Sequence, residues 1–267
     1  MSNYQVYNAE LNRFPVVFDL PHSGTTITAE MADALLPTAV LANTDWFLRE
    51  LYDFLPGLGF TVLENNLNRY LIDPNRDPNE GLAGDYYHLV YAKNTFGHAL
   101  YQTPPSGLEI NRRRDQFYQP YHQQLQKLLS IKKDTFGKVL LIDLHSFAEY
   151  THPFNGPTAD VVLGNNYNQT ATQETFDYFQ QHFQSVGYTI GDNFPFRGGF
   201  ITRHYGSNPG IHSMQIELRY NRYIEDRYFS EEILENWQPQ TFNMAKQRLQ
   251  RIFQQLAADL AANRFSF

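Results

Sequence analysis

The residues best able to do chemistry sit where apolar runs end. Lys138–Ser146 reads KVLLIDLHS: the run Val139–Ile142 gives way to Asp143, Leu144, His145 and Ser146. An unbroken apolar run marks a strand buried on both faces of a parallel sheet. Ionisable groups are costly inside such a sheet and belong at its carboxyl edge, where α/β proteins bind ligands. Residues two apart share a strand face, so Asp143 and His145 point into one crevice. A second run, Phe14–Leu20, ends in Pro21, His22, Ser23 and Gly24. Asp45 follows Asn43 and Thr44, either of which can cap a helix running to about Leu55. His212–Leu218 carries Glu217 at its inner end. Two imidazoles, a carboxylate ligand and a nearby base are what a catalytic zinc site needs, with one position open for water. The H-E-x-x-H pattern is absent, so such a site must be assembled from distant segments. Each residue also has a plainer reading. Asp143 can cap a turn and His145 can be a hydrogen-bonded core histidine. His22 can be a turn residue, Asp45 can sit in a first helical turn for the sake of the dipole, and Glu217 can pair with an arginine.

The elements that must position these groups alternate between strand and helix. Strands are expected at Phe14–Leu20, Phe60–Glu64, Arg69–Ile72, Val139–Ile142, Asp160–Gly164 and His212–Leu218. Helical spacing covers Arg113–Ile131, with Leu125, Leu128 and Leu129 facing the core. Thr170 and Gln173 form a capping box before Phe176, Phe179, Phe183 and Val186, and Gly187 ends that helix. Gln240–Ala262 is amphipathic, with Met244, Leu249, Ile252, Phe253, Leu256 and Leu260 on one face. Residues 77–108 carry few periodic signals and read as the longest loop region. No repeat or linker divides the chain, which predicts a single α/β domain over residues 1–267.

Composition narrows the function classes. The chain has 267 residues, 42% hydrophobic and 18% charged, as in folded soluble proteins. A net charge of −7 argues against a nucleic-acid partner, and Arg112–Arg114 is the one basic run. With no cysteine, disulfides, thiolate metal sites and cysteine nucleophiles are excluded. No 18-residue apolar window predicts a membrane span, and the N-terminus lacks a signal pattern, so a cytoplasmic enzyme is expected.

The chain resembles the N-formylglutamate amidohydrolases over about residues 14–226. The motifs are PHSG at Pro21–Gly24, TDW at Thr44–Trp46, RYLIDPNRDP at Arg69–Pro78, YQPYH at Tyr118–His122, IDLHSF at Ile142–Phe147, NFPFRGG at Asn193–Gly199 and IHSMQIELRYNRY at Ile211–Tyr223. That family is similar to zinc carboxypeptidases and aspartoacylases. The resemblance implies a three-layer, zinc-exopeptidase-like sandwich whose mixed, mostly parallel sheet carries helices on both faces. It implies metal-assisted cleavage of N-formyl-L-glutamate to formate and glutamate, late in histidine breakdown. The alternatives are another N-acyl amino acid or peptide as substrate, or a metal-free binding protein on the same fold. One Zn2+ per chain, or another divalent ion, would be held by His22, Asp45 and His145. Asp143 is the rival carboxylate ligand, or the partner of a ligand histidine. Glu217 looks like the general base of those enzymes and Arg76 like a catalytic arginine. Arg69, Asn75, Arg113, Arg203 and Arg219 are the candidates to bind a small anionic N-acyl amino acid.

Overall fold

The apolar runs become strands. The computed structural model describes residues 2–79, 83–84, 88–149 and 159–267. Among them the strands are β1 (Tyr4–Tyr7), β2 (Val16–Leu20), β3 (Thr61–Asn65), β4 (Ala83–Gly84), β5 (Val90–Tyr91), β6 (Val139–Phe147), β7 (Val161–Gly164), β8 (Ile190–Asp192) and β9 (Ile211–Arg219). Seven of them form one sheet in the order β1-β3-β2-β6-β9-β7-β8. The β1–β3 and β7–β9 pairs are antiparallel and the other four are parallel. The expected mixed, mostly parallel α/β sheet is what forms.

Strand periodicity sorts the side chains between two layers of helix. Leu140, Ile142 and Leu144 of β6 join Phe18, Met214 and Ile216 in one core. Helices α1 (Ala29–Ala34), α2 (Leu48–Tyr52), α3 (Gly107–Arg113), α4 (Gln119–Phe136), α5 (Gln173–Ser185), α6 (Phe200–Gly206) and α7 (Pro239–Ala261) complete the element order. The first core is covered by α2, α5 and α7, through residues such as Leu51, Phe179 and Phe253. Val17, Val139 and Leu141 face the other way, against Leu125, Leu128 and Leu129 of α4 and Ile201 and Tyr205 of α6. On this second face, toward the carboxyl ends of β2, β6 and β9, the apolar residues are replaced by polar ones. Asp19 pairs in register with Asp143, Asp143 with Gln215, and His145 with Glu217.

Several boundaries differ from expectation, each for a local reason. Arg69–Ile72 is a turn, because Asn68 accepts the Tyr70 N–H through Oδ1 at 2.9 Å and the Leu71 N–H through its carbonyl at 2.9 Å. The helix expected from Arg113 starts at Gly107, capped by Ser106 accepting the Glu109 N–H. It passes through a π-helical turn at Arg114–Tyr118 and ends at Phe136. The S-x-x-E of Ser106–Glu109 was its legible start signal. The cap of α5 is Thr172, accepting the Thr175 N–H, whereas the Thr170 hydroxyl donates to the Ser213 carbonyl. Part of the expected 77–108 loop, residues 80–82 and 85–87, lies outside the described residues. The remainder contributes Leu89, Val90, Tyr91, Leu100 and Tyr101 to a separate small core with Tyr70 and Leu71.

On α7, Met244 is 48% exposed, so it leaves the apolar face on which its spacing put it, whereas Phe253 is fully buried with Phe18 at 5.1 Å between ring centroids. Phe253→Ala should cost about 3–5 kcal/mol in urea unfolding. Met244→Ala should stay within about 0.5 kcal/mol. Equal losses in the two variants would contradict this packing.

Candidate metal centre and active site

Three backbone devices bring the candidate ligands together. His22 follows the end of β2 in a turn held by Asn65, whose Nδ2 donates to the Pro21 carbonyl at 2.8 Å, and by Ser23, whose hydroxyl donates to Leu20 and Asn65 carbonyls. Gly24 admits no side chain here, since a Cβ would meet the Asn66 carbonyl carbon at 2.2 Å. Asp45 is not in a helical first turn: α2 begins at Leu48, and Asp45 has φ 54°, between Asn43 at 55° and Phe47 at 61°. Asp and Asn tolerate this left-handed region better than most residues. The conformation turns the Asp45 carboxylate inward, where Oδ2 accepts the Ser146 N–H at 2.9 Å. His145 stands near the end of the central strand β6.

The two rings meet through their Nδ1 atoms. His22 Nδ1 and His145 Nδ1 are 3.1 Å apart, and Asp45 places one oxygen 3.5 Å from the first and the other 3.3 Å from the second. Behind each ring stands another carboxylate. His22 Nε2 is 2.8 Å from Asp73 Oδ1, and His145 Nε2 is 2.8 Å from Asp143 Oδ1. An ionised carboxylate only accepts, so each Nε2 carries a hydrogen, and with a cation bound between the rings each would be neutral and present its Nδ1 lone pair to that cation. Two lone pairs and a carboxylate at this spacing, all buried, require a positive charge between them. Zinc bound at ~2.0–2.1 Å holds tetrahedral ligand atoms about 3.3 Å apart, so the residues present fit a divalent cation. Histidines backed by carboxylates are the usual arrangement of metal ligands. Burial alone would push the Asp45 carboxyl up, but His22, His145 and Arg69 outweigh it and hold it ionised, below the ordinary range. Burial disfavours the His145 cation, yet the adjacent Asp143 reverses this and raises its pKa well above that of free histidine. Asp143 therefore sits behind His145 while Asp45 lies at the convergence.

The same cavity, about 560 Å³, is lined by His22, Asp45, His145 and Glu217. Glu217 Oε1 accepts from Gln215 Nε2 at 2.7 Å. Its burial pushes its pKa up to about 7, despite the opposing pull of His145. Of the expected arginines, Arg69, Arg76 and Arg203 line the cavity, as does Asn75. Arg69 bridges Asp45 at 2.9 Å and Asp73 at 2.8 Å. Asn75 Nδ2 is 3.2 Å from His145 Nε2, and its Oδ1 accepts the Ile201 N–H at 2.8 Å. Two expected arginines are drawn elsewhere and do not line the cavity. Arg113 donates to Glu109 at 2.8 Å and to the Leu71 carbonyl at 3.0 Å, and Arg219 pairs with Glu149 at 3.3 Å and Asp160 at 3.2 Å.

Three residues of this region escaped the sequence reading. Asp73 was legible only as a turn residue; its Oδ1 does accept the Asn75 N–H at 2.7 Å, but Oδ2 accepts from Arg69 and from the Tyr91 hydroxyl. Gln215 gave one signal, a polar residue two before Glu217 on the same strand face. Arg197, which lines the cavity, lies inside the NFPFRGG stretch but gave no periodic signal of its own.

Comparison with known proteins identifies the family. The sequence profile of the N-formylglutamate amidohydrolase family matches residues 14–224. An N-formylglutamate deformylase of Pseudomonas putida is 33% identical over 231 residues, covering 83% of this chain and 86% of the relative. The enzyme of that name from Pseudomonas aeruginosa is 31% identical, over 84% and 87%. The crystal structure of N-formylglutamate amidohydrolase from Ralstonia eutropha JMP134 superimposes with a TM-score of 0.82 at 25% identity, covering 98% of this chain and all of that one. A gene product of Agrobacterium tumefaciens shares the fold alone, with a TM-score of 0.65 at 16% identity over 96% of each chain. The chain belongs to the N-formylglutamate amidohydrolase family.

Proposed function

We propose that this chain is a zinc-dependent amidohydrolase that cleaves N-formyl-L-glutamate to formate and glutamate, the reaction named in its relatives. The observation that carries the metal reading is the 3.1 Å approach of two Nδ1 atoms beside the Asp45 carboxylate, each ring backed by a carboxylate. His22, Asp45 and His145 would hold the ion. Two imidazoles and one carboxylate suit zinc, and other divalent metals of the first transition row also accept this set. We read residues 1–267 as one catalytic unit, supported by one seven-stranded sheet that includes both β1 and β9 and by α7 packing on it. No helix among the described residues is long and apolar enough to cross a membrane. A cytoplasmic place in histidine breakdown fits the substrate named in the relatives.

A divalent cation held by His22, Asp45 and His145 would supply Lewis acidity. Glu217 takes a proton from the attacking water while the water oxygen bonds to the formyl carbon. The C–N bond then breaks, and Glu217 returns the proton to the departing amine nitrogen. Gln215 occupies Oε1 of Glu217, which leaves Oε2 for the proton. Asp143 orients His145 and Asp73 orients His22. Arg69 neutralises Asp45 and Asp73 and adds positive charge beside the substrate. In this reading Arg76, 3.8 Å from Asp73 with its side chain 19% exposed, would face the developing oxyanion. On the same reading Arg203, exposed on the cavity wall, would add positive charge toward the substrate carboxylates. Arg113 and Arg219 serve as structural ion pairs in this reading.

Formate release from N-formylglutamate, assayed with and without chelator, tests the proposal. Release should stop on chelation and return with Zn2+; chelator-resistant release would overturn the metal requirement. Glu217→Gln should keep the ion and lose turnover by roughly 10²–10⁴-fold. Because the base acts ionised, wild-type kcat/KM should rise with pH through a limb centred at or below about 7. A bound cation favours the carboxylate and can only lower that midpoint. Survival of the limb in Glu217→Gln would assign it to another group. Asp143→Asn and Asp73→Asn should each weaken divalent-ion affinity by roughly 10–100-fold in chelator competition. Unchanged affinity would show that these carboxylates do not support the ligand rings.

A further inference from the structure

The cavity's cations are not equally committed. Arg69 is held by Asp45 and Asp73, and Arg76 lies beside Asp73 and donates to the Asn75 carbonyl at 3.0 Å. Of the carboxylates outside the centre that line the cavity, Glu149 pairs with Arg219, and Asp77 accepts from Asn79. Arg203 has no carboxylate partner among the described residues, but its Nε donates to the Gly199 carbonyl at 3.2 Å. The Arg197 guanidinium is exposed on the cavity wall and has neither an ion pair nor a hydrogen bond to any described residue. Arg197 and Arg203 thus have no carboxylate partner among the described residues, and of the two only Arg197 also lacks a hydrogen bond to them, so in a chain of net charge −7 its guanidinium is the one most open to an anion.

The backbone beneath that side chain is not loose. The Arg197 carbonyl accepts the Asn166 N–H at 2.8 Å. Two residues on, the Gly199 N–H donates to Gln215 Oε1 at 2.6 Å, and Gln215 Nε2 donates to Glu217 Oε1 at 2.7 Å. A Cβ on Gly199 would meet Asn75 Nδ2 at 2.4 Å, so the strap lies directly on the residue that touches His145. Two fixed connections thus tie the Arg197 segment to the catalytic carboxylate and to a ligand histidine. The side chain is free, but its root sits at a set separation from the reacting centre.

Resting on the reading that this site hydrolyses an N-acyl glutamate, we propose that Arg197 binds the side-chain carboxylate of the substrate and sets the preference for glutamate. The α-carboxylate is one bond from the carbon bearing the scissile nitrogen, so it stays deep, near Arg69, whose side chain is 7% exposed. The side-chain carboxylate lies two methylenes further out and reaches the exposed wall. A guanidinium fork engages a carboxylate through two hydrogen bonds, whereas a carboxamide offers one acceptor and no charge.

The test compares N-formyl-L-glutamate with N-formyl-L-glutamine, near-isosteric and uncharged at the side chain, in wild type, Arg197→Ala and Arg197→Lys. The wild-type preference for the glutamate substrate in kcat/KM should fall on the order of 10- to 100-fold in Arg197→Ala, as expected for a lost charged hydrogen bond. Arg197→Lys, which keeps the charge without the fork, should recover part of it. Calorimetric binding of L-glutamate against L-glutamine to the same proteins reads the same contact without turnover, and its ratio should fall in parallel. A substrate ratio and a binding ratio unchanged by Arg197→Ala would overturn the assignment, whatever the absolute rates. Failure of wild type to release formate would instead count against the hydrolase reading, and the binding ratio would still decide the role of Arg197.

Discussion

Three electron-rich groups, two imidazole Nδ1 atoms and one carboxylate, are held together almost wholly buried at the wall of the cavity. Apart from a cation such an arrangement is repulsive, and burial strengthens the repulsion because little solvent remains to screen it. The fold spends much of its polar machinery on keeping these atoms aimed at one point. Asp73 and Asp143 take the hydrogens on the far sides of the rings, the Ser146 N–H fixes one Asp45 oxygen, and Arg69 holds the other. Removing any one of these contacts would leave a buried polar group unpaired, so they stand or fall together.

The sheet supplies the alignment. Because β2, β6 and β9 run parallel and in register, one polar residue per strand at the same height makes a row across the sheet. Asp19, Asp143 and Gln215 form one row, and His145 with Glu217 forms the next toward the carboxyl edge. Charge in the inner row is relieved by neutralisation. Burial and the neighbouring Asp143 push the Asp19 carboxyl well up, so it keeps its proton, and the Tyr121 hydroxyl donates to it. Asp143 stays supplied with donors from His145 and from Thr202, at 2.9 Å. The helices contribute at one remove. His122 of α4 reaches the Pro74 carbonyl at 2.9 Å, and the Tyr118 hydroxyl, from the π-helical turn, donates to the Arg76 carbonyl at 2.9 Å. Both fasten the turn that carries Asp73, Asn75 and Arg76. That local break from α-helical winding sits where helix and site meet, a common place for such turns.

What could be read in advance follows from which interactions are local. His145 and Asp143 were legible as a pair because strand geometry places residues two apart on one face. His22 and Glu217 were legible as polar residues ending apolar runs. The direction of Asp45 was not, because it depends on left-handed backbone at Asn43, Asp45 and Phe47, and a helical pattern in the side chains conceals it. Asp73 was hidden by a turn signal that was itself correct. The sorting of arginines was closed to the sequence for a different reason. Arg219 differs from Arg197 and Arg203 only in the carboxylates the fold brings beside it, Glu149 and Asp160, which lie 70 and 59 residues away in sequence, whereas the Arg113 partner Glu109 is an i,i+4 neighbour on one helix.

The account stands on one ion shared by side chains from separate segments, and diffraction locates it most directly. Crystals of the zinc-loaded protein, measured on both sides of the zinc absorption edge, should show a single anomalous peak within coordination distance of His22 Nδ1, His145 Nδ1 and an Asp45 oxygen. A peak bound through either Nε2, or no peak at these residues while the loaded protein turns over substrate, would contradict it.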